Sequence, residues 1–173
     1  MEKGFSRGFT LTEVMMAIAI GAIVVMIGVP SYKTMILNSR KSTAIGDLQT
    51  SLAFARNSAI TRKQQITVCK SNDNSNCTSD GDWSQGWIVF TDPNNPGTRD
   101  NDEEILRAHD ALKGDVTYTG NDNVADRVSF TNQGMTSGTL GTITYTDPRG
   151  DSYAGNLIIS FGGQVRYEDN STH

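Results

Sequence analysis

The chain has 173 residues, with 19 acidic and 15 basic side chains and a net charge of −4 at pH 7. This length is enough for one ordinary core, so we predict a single folded head domain. The acidic balance argues against a protein whose main work is to neutralise nucleic-acid phosphates.

The first predicted element is an apolar helix. Residues 14–29 form 16 positions without a charge, and residues 9–13 extend the stretch to 21. A helix of this length just spans a bilayer. No small-residue cleavage site follows the apolar run, so it is not expected to be removed as a secretory signal peptide. Lys3 and Arg7 precede it, and the positive-inside rule therefore places the head outside the cytoplasm.

Glu13 is the unusual residue of this apolar stretch. An ionised carboxylate inside a membrane helix costs about 2.5 to 3.5 kcal/mol on insertion scales and usually marks a functional pair. The sequence Gly-Phe-Thr-Leu-Thr-Glu at residues 8–13 resembles the class III signal of type IV pilins and of the related pseudopilins of type II secretion. A plain membrane anchor, the alternative, explains neither the Gly8-Phe9 pair nor Glu13.

The resemblance implies a role for each of these residues. Prepilin peptidase is expected to cut after Gly8 and the new N-terminus, Phe9, to be methylated. Glu13 is expected to form an assembly salt bridge with the terminal amine of a neighbouring subunit. Pro30 stands where many pilins carry a helix-interrupting proline, and we expect it to kink the helix. The implied partners are the major pilin, other minor pilins, prepilin peptidase, the inner-membrane assembly platform and membrane lipid.

Beyond Pro30 the helical pattern resumes. Apolar residues at alternating spacings of three and four predict an amphipathic helix to about residue 63, with one face packed on the head. The stripe consists of Ile45, Leu48, Leu52, Ala55 and Ala59. Charge is unevenly divided here: residues 40–70 hold six basic side chains against one acid, whereas residues 73–126 hold twelve acids against three bases. We expect a basic helix and an acidic loop region, or simply solvated faces.

Past residue 63 the pattern becomes strand-like, with short runs rich in Val, Ile, Thr and Tyr between Gly, Asn and Asp clusters. Gly162-Gly163 predicts a two-residue hairpin between the last two strands. The fold class is therefore α+β, a long N-terminal helix packed on an antiparallel β-sandwich-like head. We divide the chain into a leader (1–8), a transmembrane and assembly helix (9–30), an amphipathic half-helix (31–63) and a periplasmic head (64–173). The predicted strands are residues 65–70, 86–91, 105–109, 115–119, 127–131, 139–146, 156–161 and 164–167.

Cys69 and Cys77 are separated by a polar loop without a nearby histidine, so a metal site is not expected there. In an oxidising compartment the two cysteines are expected to form a disulfide, which stabilises by about 2 to 3 kcal/mol in the chain-entropy model. Two free thiols are the alternative.

A second resemblance narrows the family. The segments Cys-Lys-Ser at 69–71, Trp-Ser-Gln-Gly-Trp-Ile-Val-Phe-Thr-Asp at 83–92 and Glu-Ile-Leu-Arg at 104–107 resemble minor pilins of the GspH/FimT type. Trp83, Trp87 and Phe90 are expected to anchor the core, with Gly86 allowing a close turn between them. A carbohydrate or partner platform is the alternative for these aromatic residues.

The acidic loop at 92–103 has a spacing similar to that of an EF-hand, with oxygen-bearing or glycine residues at positions 1, 3, 6, 9 and 12. Pro96 occupies position 5, where it supplies no side-chain ligand, and no helix is predicted on either side. We expect an acidic hairpin loop, with adventitious calcium binding as the alternative, and no cofactor. The matching positions are Asp92, Asn94, Gly97, Asp100 and Glu103.

The chain has two histidines, His109 and His173. Neither has an evident base or nucleophile partner in the sequence, and motifs for nucleophilic, metal-dependent or phosphate-binding catalysis are missing. The sequence therefore predicts a protein that is not an enzyme.

We expect a minor pilin of a type IV pilus, inserted in the bacterial inner membrane as a single-pass protein and then incorporated into the filament to prime assembly or cap the tip. One alternative is a minor pseudopilin of type II secretion. Another is a FimT-type DNA receptor for natural transformation, whose Gly-Arg-x-Arg motif here reads Gly-Gln-Val-Arg at 163–166. Arg149, Arg166 and Arg127 are the candidate phosphate contacts, opposed by nearby acids.

Overall fold

The structure is a computed structural model, and it describes residues 8–94, 97–138 and 140–170. Lys3, Arg7 and the rest of the predicted leader before Gly8 lie outside these residues, as do Pro96, the expected first residue of the sixth strand (Thr139) and His173. The chain divides into two compact units, Met1–Arg40 and Lys41–His173.

The longest element is helix α1, Leu11–Arg62. Pro30 lies inside this helix, which continues on both sides of it. The Thr34 hydroxyl donates to the Pro30 carbonyl oxygen at 3.2 Å. The kink at Pro30 stays a prediction. The predicted apolar stripe is confirmed, because all five of its residues are buried. The helix ends at Arg62, where the next residue, Lys63, takes a left-handed conformation with φ of 54°.

Within the described residues, eight strands follow and form two antiparallel sheets of four. The order is β3-β2-β1-β5 in the first sheet and β4-β6-β7-β8 in the second. All eight predicted strands are present, with ends that differ from the expected ones by a few residues, as is usual for element boundaries. The strands are β1 Ile66–Lys70, β2 Trp87–Thr91, β3 Ile105–His109, β4 Thr117–Gly120, β5 Arg127–Phe130, β6 Gly141–Thr146, β7 Gly155–Ile159 and β8 Val165–Asp169.

The core of the second unit lies between the helix and both sheets. Leu48 and Leu52 of the helix, Val68 and Trp87 of the first sheet and Tyr145 of the second belong to one buried cluster. Because residues of three layers share this cluster, none of the layers buries its apolar face without the other two.

Phe90 is buried in a core cluster, as expected, but not in the cluster that holds the two tryptophans. It is fully buried, but it belongs to a second cluster with Cys69 and Ile88, whereas Trp83 and Trp87 belong to the main core. Side chains alternate across a strand, so Trp87 and Phe90 of β2 point to opposite faces of the first sheet. One face of β2 therefore packs in the main core and the other covers the disulfide.

Gly86 makes the close approach that the sequence predicted, whereas the predicted two-residue hairpin at Gly162-Gly163 is wrong, because five residues, 160–164, connect β7 to β8. Gly86 (φ 113°) follows a short 3₁₀ turn, and a Cβ there would lie 2.5 Å from the carbonyl oxygen of His109. Gly163 (φ 73°) closes the turn between β7 and β8, where its N–H donates to the Ser160 carbonyl oxygen at 2.9 Å. A larger residue at either position is strained by its backbone as well as by its neighbours.

Candidate functional site

The first turn of helix α1 carries Glu13. The Glu13 Oε2 atom accepts hydrogen bonds from the Thr10 backbone N–H at 3.0 Å and from the Thr10 hydroxyl at 2.9 Å. In return the Glu13 backbone N–H donates to the Thr10 Oγ1 atom at 3.3 Å. This reciprocal pattern is a capping box, which satisfies free N–H groups at a helix start. Sequence reasoning missed this role, although the Thr-x-x-Glu spacing that signals it is present.

The peptide between Gly8 and Phe9 precedes the helix, and both residues are exposed. Along the following turns the large apolar side chains are exposed as well, from Leu11 to Val29. By length and composition alone, this helix is able to cross a membrane. The structure thus brings an accessible Gly-Phe bond, a capped carboxylate and an uncovered apolar helix into one continuous segment.

The predicted disulfide is present. Cys69 of β1 and Cys77 are bonded at an S–S distance of 2.05 Å. The Lys70 ammonium group holds the same region, since it donates to the carbonyl oxygens of Ser79 at 3.1 Å and Gly81 at 2.9 Å. It also lies 2.8 Å from the Asp126 carboxylate. Sequence reasoning missed Lys70, because nothing local distinguishes it from an exposed lysine.

His109 has a partner that the sequence did not reveal. Its ring stacks on Trp87 with centroids 4.1 Å apart, and its Nε2 atom lies 3.3 Å from the Asp47 carboxylate of the helix. Its Nδ1 atom lies 2.7 Å from the Asp110 carbonyl oxygen. His109 therefore connects the end of β3 to the helix, which is a structural role.

Two family models match the chain. A model described as "Type II transport protein GspH" matches residues 44–163, and one described as "Prokaryotic N-terminal methylation motif" matches residues 3–29. The first match covers more than half of the chain. The chain belongs to the GspH family. It is a subunit of the minor pilin and pseudopilin class, a structural class, with a methylation motif on its N-terminal apolar helix.

Solved structures agree with this assignment at the level of the fold. The type IV minor pilin FimU of Pseudomonas aeruginosa PAO1, in its P21 crystal form, is similar with a TM-score of 0.60 and 22% identity over 78% of this chain and 92% of FimU. The P65 crystal form of FimU is similar with a TM-score of 0.59 and 20% identity, over 76% of this chain and 94% of FimU. No functionally curated protein matches the sequence. The GspH-family chain therefore has the α+β architecture that the sequence predicted.

In this GspH-family head, Arg149 forms a salt bridge with Asp147, two residues before it. Its guanidinium donates to both carboxylate oxygens of Asp147, at 2.6 Å for the shortest bond, and lies over the Tyr153 ring at 4.1 Å. Burial acts to raise the pKa of Asp147, but the hydrogen bonds from Arg149 outweigh it and lower the pKa. The Asp147 side chain is fully buried, so Arg149 is its counter-charge.

Arg166 is exposed in β8 and lies 2.6 Å from the Glu168 carboxylate. It stands opposite Ile158 in the second sheet, whereas Arg127 begins β5 in the first sheet and Arg149 lies in the connection between β6 and β7. The structure places the three candidate phosphate contacts on three separate elements.

A groove of about 560 Å³ lies beside Arg166, between helix residues 49–57 and the β7–β8 turn. Arg56 links the helix to the other side of the groove. The Arg56 Nε atom donates to the Gly134 carbonyl oxygen at 2.9 Å, and the Nη2 atom donates to the Gly162 carbonyl oxygen at 3.0 Å. Sequence reasoning missed this groove, because its two sides are more than a hundred residues apart. The lining residues are Gln49, Ala53, Arg56, Asn57, Gly163, Gln164, Val165 and Arg166.

The acidic loop connects β2 to β3, as expected for a hairpin loop. Asp92 at its start and Glu103 at its end are buried, whereas Asn94 and Asp100 are exposed. Burial raises the pKa of Glu103, and the charges of Asp92, Asp100 and Asp102 act in the same direction.

Proposed function

We propose that the protein is a minor pilin of a type IV pilus. Prepilin peptidase cleaves it after Gly8, and the subunit then enters the filament to prime assembly or cap the tip. The observation that carries this proposal is the N-terminal segment, in which a methylation motif coincides with an uncovered apolar helix. A soluble protein would cover such a surface with its own core.

In this proposal residues 9–30 hold the subunit in the inner membrane in a single pass and later contact other subunits. Residues 31–63 continue the helix beyond a kink at Pro30, and residues 64–173 form a periplasmic head that reaches the cell surface with the filament. The described helix and head strands are compatible with this division.

Glu13 has a defined part in the same proposal. Within one chain its carboxylate is bonded to Thr10 at the helix start. Cleavage after Gly8 creates a positive amine on Phe9, and a neighbouring subunit presents that amine to Glu13 in the filament. Pairing lowers the cost of a carboxylate in an apolar setting.

The proposed partners are the major pilin, other minor pilins, prepilin peptidase, the assembly platform and membrane lipid. We infer a structural role without catalysis. The observation that supports it is His109, whose two ring nitrogens face Asp47 and the Asp110 carbonyl oxygen and whose ring is stacked on Trp87.

The second candidate is a minor pseudopilin of type II secretion, which the description of the matching family favours. Deleting the gene in its native host distinguishes the two. If the protein is a type IV pilin, its loss is expected to change surface piliation and twitching motility while secretion continues. If it is a pseudopilin, its loss is expected to impair secretion while piliation and motility continue. DNA uptake has less support, because the candidate phosphate contacts Arg149 and Arg166 form salt bridges with Asp147 and Glu168.

A further inference from the structure

Strand β8 is the last strand of its sheet, and among the described residues no strand lies along its outer edge. Hydrogen bonds at its two ends show which residues face β7. The Ser160 N–H donates to the Gln164 carbonyl oxygen at 2.9 Å, and the Asn170 N–H donates to the Ala154 carbonyl oxygen at 3.1 Å. Both pairs continue the β7–β8 register. Residues 164, 166, 168 and 170 therefore point their backbone groups toward β7.

Val165 and Tyr167 lie between these positions. In an antiparallel pair, successive residues alternate between facing the partner strand and facing away, so the backbone N–H and C=O groups of Val165 and Tyr167 face away from β7. Neither backbone forms a hydrogen bond to another segment that the structure describes. An edge with such groups is a template for pairing with a second extended chain.

The groove of about 560 Å³ lies at this edge. Val165 and Arg166 are successive residues of a strand, so their side chains point to opposite faces of the sheet, yet both residues line the groove. The groove therefore reaches around the edge of β8 instead of lying on one face. Gln49, Ala53 and Arg56 form the opposite wall, at spacings of four and three on one face of the helix.

Arg56 gives the groove a fixed positive charge. Its Nε and Nη2 atoms donate to the carbonyl oxygens of Gly134 and Gly162, and it forms no salt bridge with a carboxylate of the described residues. Its third nitrogen, Nη1, has no hydrogen-bond partner within the same residues. Arg166, in contrast, lies beside Glu168. A guanidinium that is held in place but lacks a counter-charge is suited to a carboxylate from outside the chain.

We propose that the free edge of β8 and the groove beside it bind an extended acidic segment of a neighbouring subunit as an added strand. The segment pairs through its backbone with Val165 and Tyr167, one of its carboxylates binds Arg56, and an apolar side chain packs on Ala53. In this mode of recognition, backbone hydrogen bonds give affinity and side-chain contacts give specificity. The inference rests on the proposed function, because a pilin head in a filament has neighbouring subunits.

The test uses the full chain purified in detergent and two fluorescent probe peptides of equal length. One is acetyl-Glu-Val-Glu-Val-Glu-amide, and the other has lysine in place of each glutamate. Fluorescence anisotropy is expected to show saturable binding of the acidic peptide and binding of the lysine peptide that is at least about 10-fold weaker, because like charges repel.

Val165→Pro removes an outward N–H group and leaves the hydrogen bonds between β7 and β8 in place, since Val165 faces away from β7. It is expected to weaken binding of the acidic peptide about 10-fold. Val165→Ala is the matched control, because it shortens the same side chain but keeps the N–H, and it is expected to bind normally. Circular dichroism checks that both variants are folded.

Arg56→Met is expected to weaken binding of the acidic peptide about 10- to 100-fold, because it removes a charge-assisted hydrogen bond. Arg107→Met removes the same charge from an exposed position of β3 and is the control. Since Arg56 also holds Gly134 and Gly162, its variant is accepted only if it is folded, and Val165→Pro decides the matter otherwise.

Three results overturn the inference. The first is the absence of saturable binding, or equal affinity for the two peptides. The second is binding of the acidic peptide that Val165→Pro leaves unchanged. The third is displacement of the peptide by duplex DNA with loss of both ligands in Arg166→Ala, which assigns the groove to a phosphate backbone.

The proposed function fails by a different result. A gene deletion that changes neither piliation nor secretion would refute it, whether or not the purified protein binds the acidic peptide. Failure of peptide binding in a protein whose deletion does change piliation would refute the β8 edge alone.

Discussion

The Lys70 ammonium nitrogen lies 2.8 Å from the Asp126 carboxylate, although the Lys70 side chain is only 4% exposed. The same ammonium group donates to the carbonyl oxygens of Ser79 and Gly81. Lys70 therefore joins strand β1, the loop that follows the disulfide and the turn before β5. Three segments of the head depend on one buried charge.

Lys70→Met is expected to destabilise the oxidised protein by about 2 to 3 kcal/mol, because it leaves two carbonyl oxygens and a carboxylate without their donor. Urea denaturation at constant redox state measures the effect. Lys113→Met, at an exposed position, is the control and is expected to change stability by less than about 0.5 kcal/mol. Equal losses in the two variants would contradict the role of Lys70.

The Cys69–Cys77 disulfide is expected to be complete in protein made in an oxidising compartment. Mass spectrometry after alkylation without reductant checks this, and two alkylated cysteines would refute it. Replacing both cysteines by serine is expected to cost about 2 to 3 kcal/mol of stability by the chain-entropy estimate for a short loop.

Glu13→Ala is expected to leave membrane insertion and cleavage after Gly8 largely intact but to reduce strongly the subunit recovered in sheared filaments. The unpaired amine of the neighbouring subunit then stays uncompensated, at a cost of roughly 3 to 5 kcal/mol before relaxation. Immunoblots of membranes and sheared filaments give the two readouts. Alanine also removes the capping box with Thr10, so a second variant is needed to separate the two effects.

Glu13→Gln is that variant, because glutamine preserves a capping box and removes the charge. If charge pairing drives assembly, both variants are lost from filaments. Recovery of Glu13→Gln at the normal level would assign the effect to the helix cap. Normal recovery of Glu13→Ala would reject the pairing and favour a position at the extreme tip, where no subunit lies ahead.

Replacing Gly8 by a bulky residue such as tryptophan is expected to block processing and leave a longer precursor retained in the membrane. The size of the membrane-bound chain on a gel is the measurement. A mature-sized product from Gly8→Trp would place the cleavage elsewhere.

Duplex DNA is expected to bind the purified protein weakly at moderate salt, because acids outnumber bases, 19 to 15, and the candidate arginines lie on separate elements. An electrophoretic mobility shift measures this. Tight binding that disappears in Arg166→Ala would move DNA uptake ahead of the structural role.

Local patterns were sufficient for much of this protein. The apolar run before Pro30, the stripe from Ile45 to Ala59 and the alternation of short strands with glycine turns each depend on neighbouring residues, so the helix and all eight strands were predictable. The Cys69–Cys77 pair was predictable for the same reason, since it closes a short loop. The Thr10–Glu13 capping box was equally local and was missed only because the carboxylate had already been given another role.

Tertiary structure decided the rest, because it depends on contacts between distant segments. Only the packing of β2 between two clusters puts Phe90 on the disulfide side of the sheet. Lys70 is a buried counter-charge only because the β4–β5 connection brings the Asp126 carboxylate next to it. The residue types in the acidic loop were visible in the sequence, but the burial of Asp92 and Glu103 was set by how the hairpin closes.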